Sequence, residues 1–108
     1  MLASREVVQK QLETALSRIV DVRGVRSGYP NADSAEWKVV AEFSHPAGVG
    51  TVSIWRSGCC DIDFLAEGAP DGVARHTEFA REDAIQDYVA SSVAELLVPY
   101  APSTPRNA

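Results

Sequence analysis

The side chains best suited to chemistry are two adjacent cysteines, two histidines and two nearby aspartates: Cys59, Cys60, Asp61, Asp63, His45 and His76. Thiol, imidazole and carboxylate groups form nucleophilic triads and also bind zinc. In a strand, however, adjacent side chains point to opposite faces, so Cys59 and Cys60 are not expected to share one ion. No nucleophile stands at a helix start or a sharp elbow. The pattern favours Cys60 as a small core residue, and we expect no catalytic residue and no metal site.

The glycines of Gly48-Val49-Gly50 raise the question of a phosphate-binding loop. A dinucleotide fingerprint needs its glycines between a strand and a helix, whereas these lie between two predicted strands. We therefore expect a hairpin loop here and no cofactor.

Asp61 and Asp63 are two residues apart in a predicted strand, so their carboxylates should share one face. Trp55 should point to that same outer face, and an aromatic anchor ringed by charge is typical of a protein interface. With Leu65 and Glu67, these residues make a hypothetical partner-binding surface. Two interpretations of Trp55 stay open: it anchors a partner, or it covers the sheet edge or packs on a loop at residues 24–35.

Two amphipathic helices should position this surface. Residues 4–22 have an apolar stripe at helical spacing, Ser4 can cap their N-terminus, and Gly24 can close the last turn. Residues 82–97 have a second stripe, and Pro99 should end that helix.

Alternating apolar and polar residues predict four strands, at residues 36–44, 50–57, 59–66 and 73–79. In the third strand, Cys60, Ile62 and Phe64 should point inward. In the fourth, Val73, Arg75, Thr77 and Phe79 share one face, which puts a charged residue among apolar ones.

The order α-β-β-β-β-α predicts an α+β fold: a four-stranded antiparallel β-meander covered on one face by the N- and C-terminal helices. The other face should be open to solvent. At 108 residues the chain is one domain by size, expected to span residues 1–100 with a disordered tail at 101–108.

The charge distribution and the two cysteines indicate which kind of partner and which cellular compartment to expect. Residues 61–95 hold nine acidic side chains against Arg75 and Arg81, a net charge of −7, whereas residues 1–30 carry +2. An acidic half disfavours nucleic acid and suits a basic protein surface. Adjacent cysteines rarely form a disulfide, and no segment has the pattern of a signal peptide or membrane span, so we expect a cytoplasmic protein.

The segment Val52-Ser53-Ile54-Trp55-Arg56-Ser57-Gly58-Cys59-Cys60-Asp61-Ile62-Asp63-Phe64-Leu65 resembles the TriTu-type bacterial immunity proteins. His76-Thr77-Glu78-Phe79 and the closing amphipathic helix extend the likeness, which covers roughly residues 36–97. The Cys59-Cys60 pair and the Pro70-Asp71 turn depart from the family pattern.

The resemblance implies an antidote used in interbacterial competition. Such a protein binds a cognate toxin, similar to ADP-ribosyltransferase effectors, and occludes its active site without turnover. The family's Trp and acidic positions match Trp55, Asp61 and Asp63. The alternatives are a secretion-chaperone-like or other protein-binding module, or a small enzyme with a deep apolar pocket. We expect a monomer or weak dimer, with no nucleic acid and no membrane partner.

Overall fold

A computed structural model describes residues 2, 4–27 and 37–100 as an α+β fold. Its elements are α1 (Arg5–Ser17), β1 (Asp21–Ser27), β2 (Lys38–His45), β3 (Gly48–Trp55), β4 (Cys59–Ala66), β5 (Val73–Glu78), a 3-10 turn (Glu82–Ala84), α2 (Ile85–Leu97) and a second 3-10 turn (Val98–Tyr100). All strands pair antiparallel, in the order β1-β2-β3-β4-β5. The predicted class and flanking helices are confirmed, but the predicted number of four strands is wrong.

The additional strand is β1, which the sequence pattern assigned to the end of a helix and a loop. Val22 pairs with Phe43 and Val25 pairs with Ala41, with a register shift between Val22 and Gly24. A β-bulge inserts one residue into a strand and so breaks the two-residue alternation. The apolar residues of β1 are therefore three apart, a spacing that also suits a helix.

Helix α1 begins as predicted and ends five residues earlier than predicted. The Ser4 hydroxyl accepts a hydrogen bond from the backbone N–H of Val7 at 3.2 Å, which satisfies one of the free donors of the first turn. Its buried stripe is Val8, Leu12, Ala15 and Leu16. The N–H groups of Ile19 and Val20 both donate to the Leu16 carbonyl, which ends the helix. Gly24 thus lies within β1 and has no capping role.

One core lies between the helices and the sheet. Its strand residues are on the face toward the helices: Val39, Ala41, Phe43, Val52, Ile54, Cys60, Ile62 and Phe64. Helix α1 packs on β1, β2 and α2. From α2 the core receives Ile85, Val89, Val93 and Leu97, while Tyr88 and Leu96 pack at its margin. The inward orientation predicted for Cys60, Ile62 and Phe64 is confirmed.

The predicted loop at Gly48-Val49-Gly50 is the beginning of β3 instead. The link from β2 is the tight turn at Pro46 and Ala47, where the Ala47 N–H donates to His45 Nδ1 at 3.0 Å. Gly50 faces Phe43 and Phe64, whose rings stack with centroids 6.3 Å apart. A Cβ at Gly50 would lie 2.3 Å from the Phe43 ring, so the missing side chain makes room for this pair.

Strand β5 resolves the uncertain position of Arg75. Arg75 pairs with buried Ile62, which places it on the helix face, and its guanidinium donates to Glu95 of α2 at 2.6 Å. Just after β5, the ring of Phe79 packs edge-on against Tyr88 at 5.5 Å. An arginine thus fits the inner face of an edge strand because it reaches past the core to a helix carboxylate.

The other predicted boundaries differ from the structure by a few residues, or they fall on residues that the structure does not describe. The predicted loop at 24–35 overlaps β1 at its start, and residues 28–36 and the predicted tail at 101–108 lie outside the described residues. α2 ends at Leu97, and Pro99 stands within the 3-10 turn that follows it. No helix among the described residues is long and apolar enough to cross a membrane.

Candidate functional site

The side of the sheet opposite the helices, here called the open face, carries the alternate residues of each strand. Along β2, β3, β4 and β5 these include Lys38, Val40, Glu42, Ser53, Thr51, Asp61, Asp63, Leu65, His76 and Glu78. None of these residues is buried, and none of the described helices packs over them. A sheet face that is solvated in the isolated chain is a surface available to a partner.

Trp55 lies on the open face at the end of β3, as its position in the strand predicts. It pairs with Lys38 across the strands, and the Lys38 ammonium is 4.9 Å from the centroid of the indole ring. A cation at this distance is attracted by the ring's quadrupole. The indole is half-buried, so part of it remains exposed to solvent. A contact with residues 28–36, one of the two interpretations left open by the sequence, lies outside the described residues.

The acidic residues of β4 form a row beside Trp55. Asp61 and Asp63 point to the open face and stand opposite Ser53 and Thr51 of β3. Leu65 continues this row, is 45% exposed and stands opposite Val49 of β3, which is 54% exposed. The sequence therefore places these three side chains on one surface correctly.

Glu67 lies at the opposite end of the strand from Trp55. It follows β4 in a turn, where its N–H donates to the Ala47 carbonyl at 2.7 Å. From Cys59, which starts β4, to Glu67 the chain runs roughly 26 Å at strand rise. The five residues predicted to bind a partner thus form a long stripe rather than a compact cluster.

A shallow groove of about 610 Å³ lies beside Asp63 and Leu65 of this stripe and opens to solvent. Its wall residues are Arg23, Glu42, Phe43, Val49, Gly50, Thr51, Asp63, Phe64, Leu65, Gly72, Val73 and Ala74. Val49 and Leu65 are exposed apolar side chains that pair across β3 and β4 on the open face, and Asp63 is the neighbouring outward residue of β4. Val73 is also exposed, but it pairs with Phe64 and so belongs to the helix face. This mixture of apolar surface and acid suits a macromolecular contact better than the enclosure of a small substrate.

A second cluster lies at the β4–β5 edge of the open face. One ligand atom each from Cys59, His76 and Glu78 lies within 4.8 Å of the others. His76 Nδ1 is 2.7 Å from Asp61 Oδ1. Reasoning from the sequence missed this group because it considered the adjacent cysteines together and overlooked Glu78. The signal available was the spacing of His76 and Glu78, two apart and so on one face of a strand.

Cys60, the neighbour of Cys59, belongs to the core. Its side chain is fully buried, and burial, with smaller contributions from Asp61 and Cys59, raises the pKa of the Cys60 thiol to about 12. A thiol that stays protonated is a poor nucleophile. This confirms the expectation that Cys60 is a small core residue, and it leaves Cys59 as the accessible thiol.

Comparison with protein-family models, with curated proteins and with solved structures found no match to this chain.

Proposed function

We propose that this protein is an immunity protein that binds a cognate bacterial toxin through the open face and occludes the toxin's active site. The observation that carries the proposal is the stripe of Trp55, Asp61, Asp63 and Leu65 on a sheet face that no described helix covers. An aromatic anchor, an exposed leucine and carboxylates on one surface are the parts of a protein-binding hot spot and its rim.

The size of the open face suits such a contact. Five strands at about 4.8 Å spacing and about eight residues at 3.3 Å rise give a surface of roughly 24 Å by 26 Å. A standard interface buries about 800 Å² of accessible surface on each partner. The side chains that project from the sheet make the accessible area of this face larger than its flat area, which brings it into that range. The single sheet face is therefore large enough without a second binding region.

The charge of the stripe points to the kind of toxin surface it would cover. Asp61 and Asp63 of β4 and Glu67, which follows the strand, are carboxylates with no lysine or arginine between them in the sequence. An ADP-ribosyltransferase-like toxin binds a dinucleotide with an anionic pyrophosphate, so its cleft needs positive potential. An acidic stripe is attracted to that cleft and blocks it sterically, which explains inhibition without turnover.

The test is to clone any toxin domain found in the genes adjoining this one, measure its binding to this protein by calorimetry and assay its activity in parallel. We expect an equimolar complex and loss of toxin activity at one equivalent. Trp55→Ala should weaken binding by about 2 kcal/mol or roughly thirtyfold, because truncating the aromatic anchor of an interface removes a hot spot.

Leu65→Ser and Val7→Ser form a matched pair, since Leu65 is 45% exposed on the open face and Val7 is 43% exposed on α1. We expect Leu65→Ser to weaken toxin binding and Val7→Ser to leave it unchanged. Equal affinity of the wild type and Trp55→Ala would remove the proposed interface. A stable dimer without toxin binding, seen by light scattering, would instead favour the chaperone-like alternative.

A further inference from the structure

Four side chains form a two-by-two block at the β4–β5 edge of the open face. Cys59 stands directly opposite Glu78, and Asp61 stands directly opposite His76. Antiparallel pairing brings the β-carbons of opposite residues to about 5 Å and leaves diagonal neighbours within reach of longer side chains. The thiol, the imidazole and the Glu78 carboxylate can therefore converge, and one ligand atom of each lies within 4.8 Å of the others.

The fourth member, Asp61, orients the imidazole. Its Oδ1 is 2.7 Å from His76 Nδ1, so the carboxylate accepts the proton carried by Nδ1. The other ring nitrogen, Nε2, is then the one with a free lone pair, and it lies 3.9 Å from Glu78 Oε2. In zinc sites a carboxylate commonly accepts the hydrogen bond from the far nitrogen of a metal-binding histidine and so fixes the orientation of its ring.

We propose that Cys59, His76 and Glu78 bind one Zn²⁺ ion, with Asp61 as the positioning residue and a water molecule as the fourth ligand. With Zn–N near 2.0 Å and Zn–S near 2.3 Å, tetrahedral ligand atoms lie roughly 3.3–3.8 Å apart. The His76 and Glu78 atoms are already at 3.9 Å, so binding needs only small side-chain rotations.

The donor set selects the metal. A thiolate, an imidazole and a carboxylate together suit the borderline-soft Zn²⁺ ion. Mg²⁺ and Ca²⁺ take oxygen ligands and have no use for Cys59 or His76. Cys60 does not compete, because it is buried on the opposite side of β4.

This inference goes beyond the proposed toxin binding, although Asp61 belongs to both surfaces. The zinc site needs no partner and is measured on the isolated protein, so a failure of toxin binding leaves it unaffected. Conversely, absence of zinc binding would leave the proposed immunity function untouched.

The experiment is titration of the reduced full chain with Zn²⁺ in competition with a chromophoric chelator, repeated with Co²⁺ as a spectroscopic probe. We expect one Zn²⁺ per chain, and a thiolate-to-cobalt charge-transfer band. Cys59→Ser and His76→Ala should each weaken Zn²⁺ binding more than tenfold. Asp61→Ala should weaken it roughly 10- to 100-fold, the usual effect of losing the carboxylate that orients a metal-binding histidine.

Two other residues of this protein serve as control positions. His45→Ala removes the other histidine, and Asp63→Ala removes the carboxylate two residues along the same face of β4; both should bind Zn²⁺ like the wild type. Zn²⁺ should also slow alkylation of Cys59 in the wild type but not in His76→Ala. Mg²⁺ should slow alkylation in neither protein. No zinc uptake by the folded wild type, or equal affinity of the wild type and His76→Ala, overturns the site.

Discussion

The two faces of β4 belong to the same eight-residue strand and meet opposite surroundings. Toward the helices, Cys60, Ile62 and Phe64 are at most 2% exposed. Toward solvent, Asp61 is hydrogen-bonded to a histidine and Leu65 remains 45% exposed. The inner row is constrained by packing, because every atom there has neighbours on all sides.

This contrast separates stability from function along one strand. A substitution on the inner row disturbs the core, whereas a substitution on the outer row changes chemistry that the fold does not need. The outer row can therefore carry a partner surface and a metal site at little cost to folding. Substitutions in matched pairs of neighbouring or equivalent residues test this separation.

The largest effect is expected for Phe64→Ala against Leu65→Ala. Phe64 is buried and stacks on Phe43, so its truncation should lower the free energy of unfolding by about 3–5 kcal/mol. Leu65 is exposed, so its truncation should change the free energy of unfolding by less than about 0.5 kcal/mol. Urea unfolding followed by circular dichroism measures both. Similar losses in the two variants would mean that the open face is covered in solution.

An intermediate effect is expected for Gly50→Ala against Gly24→Ala. A Cβ at Gly50 would meet the Phe43 ring at 2.3 Å and the Asp63 carbonyl at 2.6 Å, whereas one at Gly24 meets nothing within 4 Å. Gly50→Ala should therefore destabilise the fold by about 1–3 kcal/mol through overpacking. Gly24→Ala should be neutral or stabilising by up to about 1 kcal/mol, since alanine restricts the unfolded chain. Thermal unfolding measures both changes. A Gly50→Ala variant as stable as the wild type would contradict the tight packing of the phenylalanine pair.

The smallest effect is a pH dependence that distinguishes the two cysteines. The pKa of Cys60 is raised from 9.0 to about 12 in the folded protein, so above pH 9 the unfolded chain loses a proton that the folded chain keeps. Stability is therefore complete below pH 9 and falls as pH rises toward 12, by about 1 kcal/mol per pH unit.

The matched variants for this prediction are Cys60→Ala and Cys59→Ser, with urea unfolding measured at pH 8 and pH 10. Subtracting the Cys60→Ala result removes the contribution of tyrosines and lysines common to both proteins. Cys59→Ser should keep the alkaline loss, because burial is the main cause of the shift at Cys60. An alkaline loss of equal size in the wild type and Cys60→Ala would contradict the prediction.

The strands that follow simple alternation could be predicted from the sequence, and the irregular one could not. In β4, a polar residue separates each pair of buried residues from Cys60 to Phe64, so the two faces follow from the pattern itself. In β1, the bulge between Val22 and Gly24 removes that alternation, and the strand is defined only by its pairing with β2. Local periodicity contains no information about a partner strand, which is why β1 was assigned to a helix and a loop.

The same limit applies to the candidate sites. The sequence by itself determined that Cys60 faces the core and that Asp61, Asp63 and Leu65 share the outer face, because side chains alternate in every strand. Only the tertiary structure decided that Glu78 lies opposite Cys59 and His76 opposite Asp61. That arrangement depends on the register between β4 and β5. A one-residue slip of β5 would move the side chains of His76 and Glu78 to the opposite face of the sheet. Phe79, which follows β5, is buried in the core and its N–H donates to the carbonyl of Gly58, just before β4. These contacts hold the register through residues distant in the chain, which no short motif encodes.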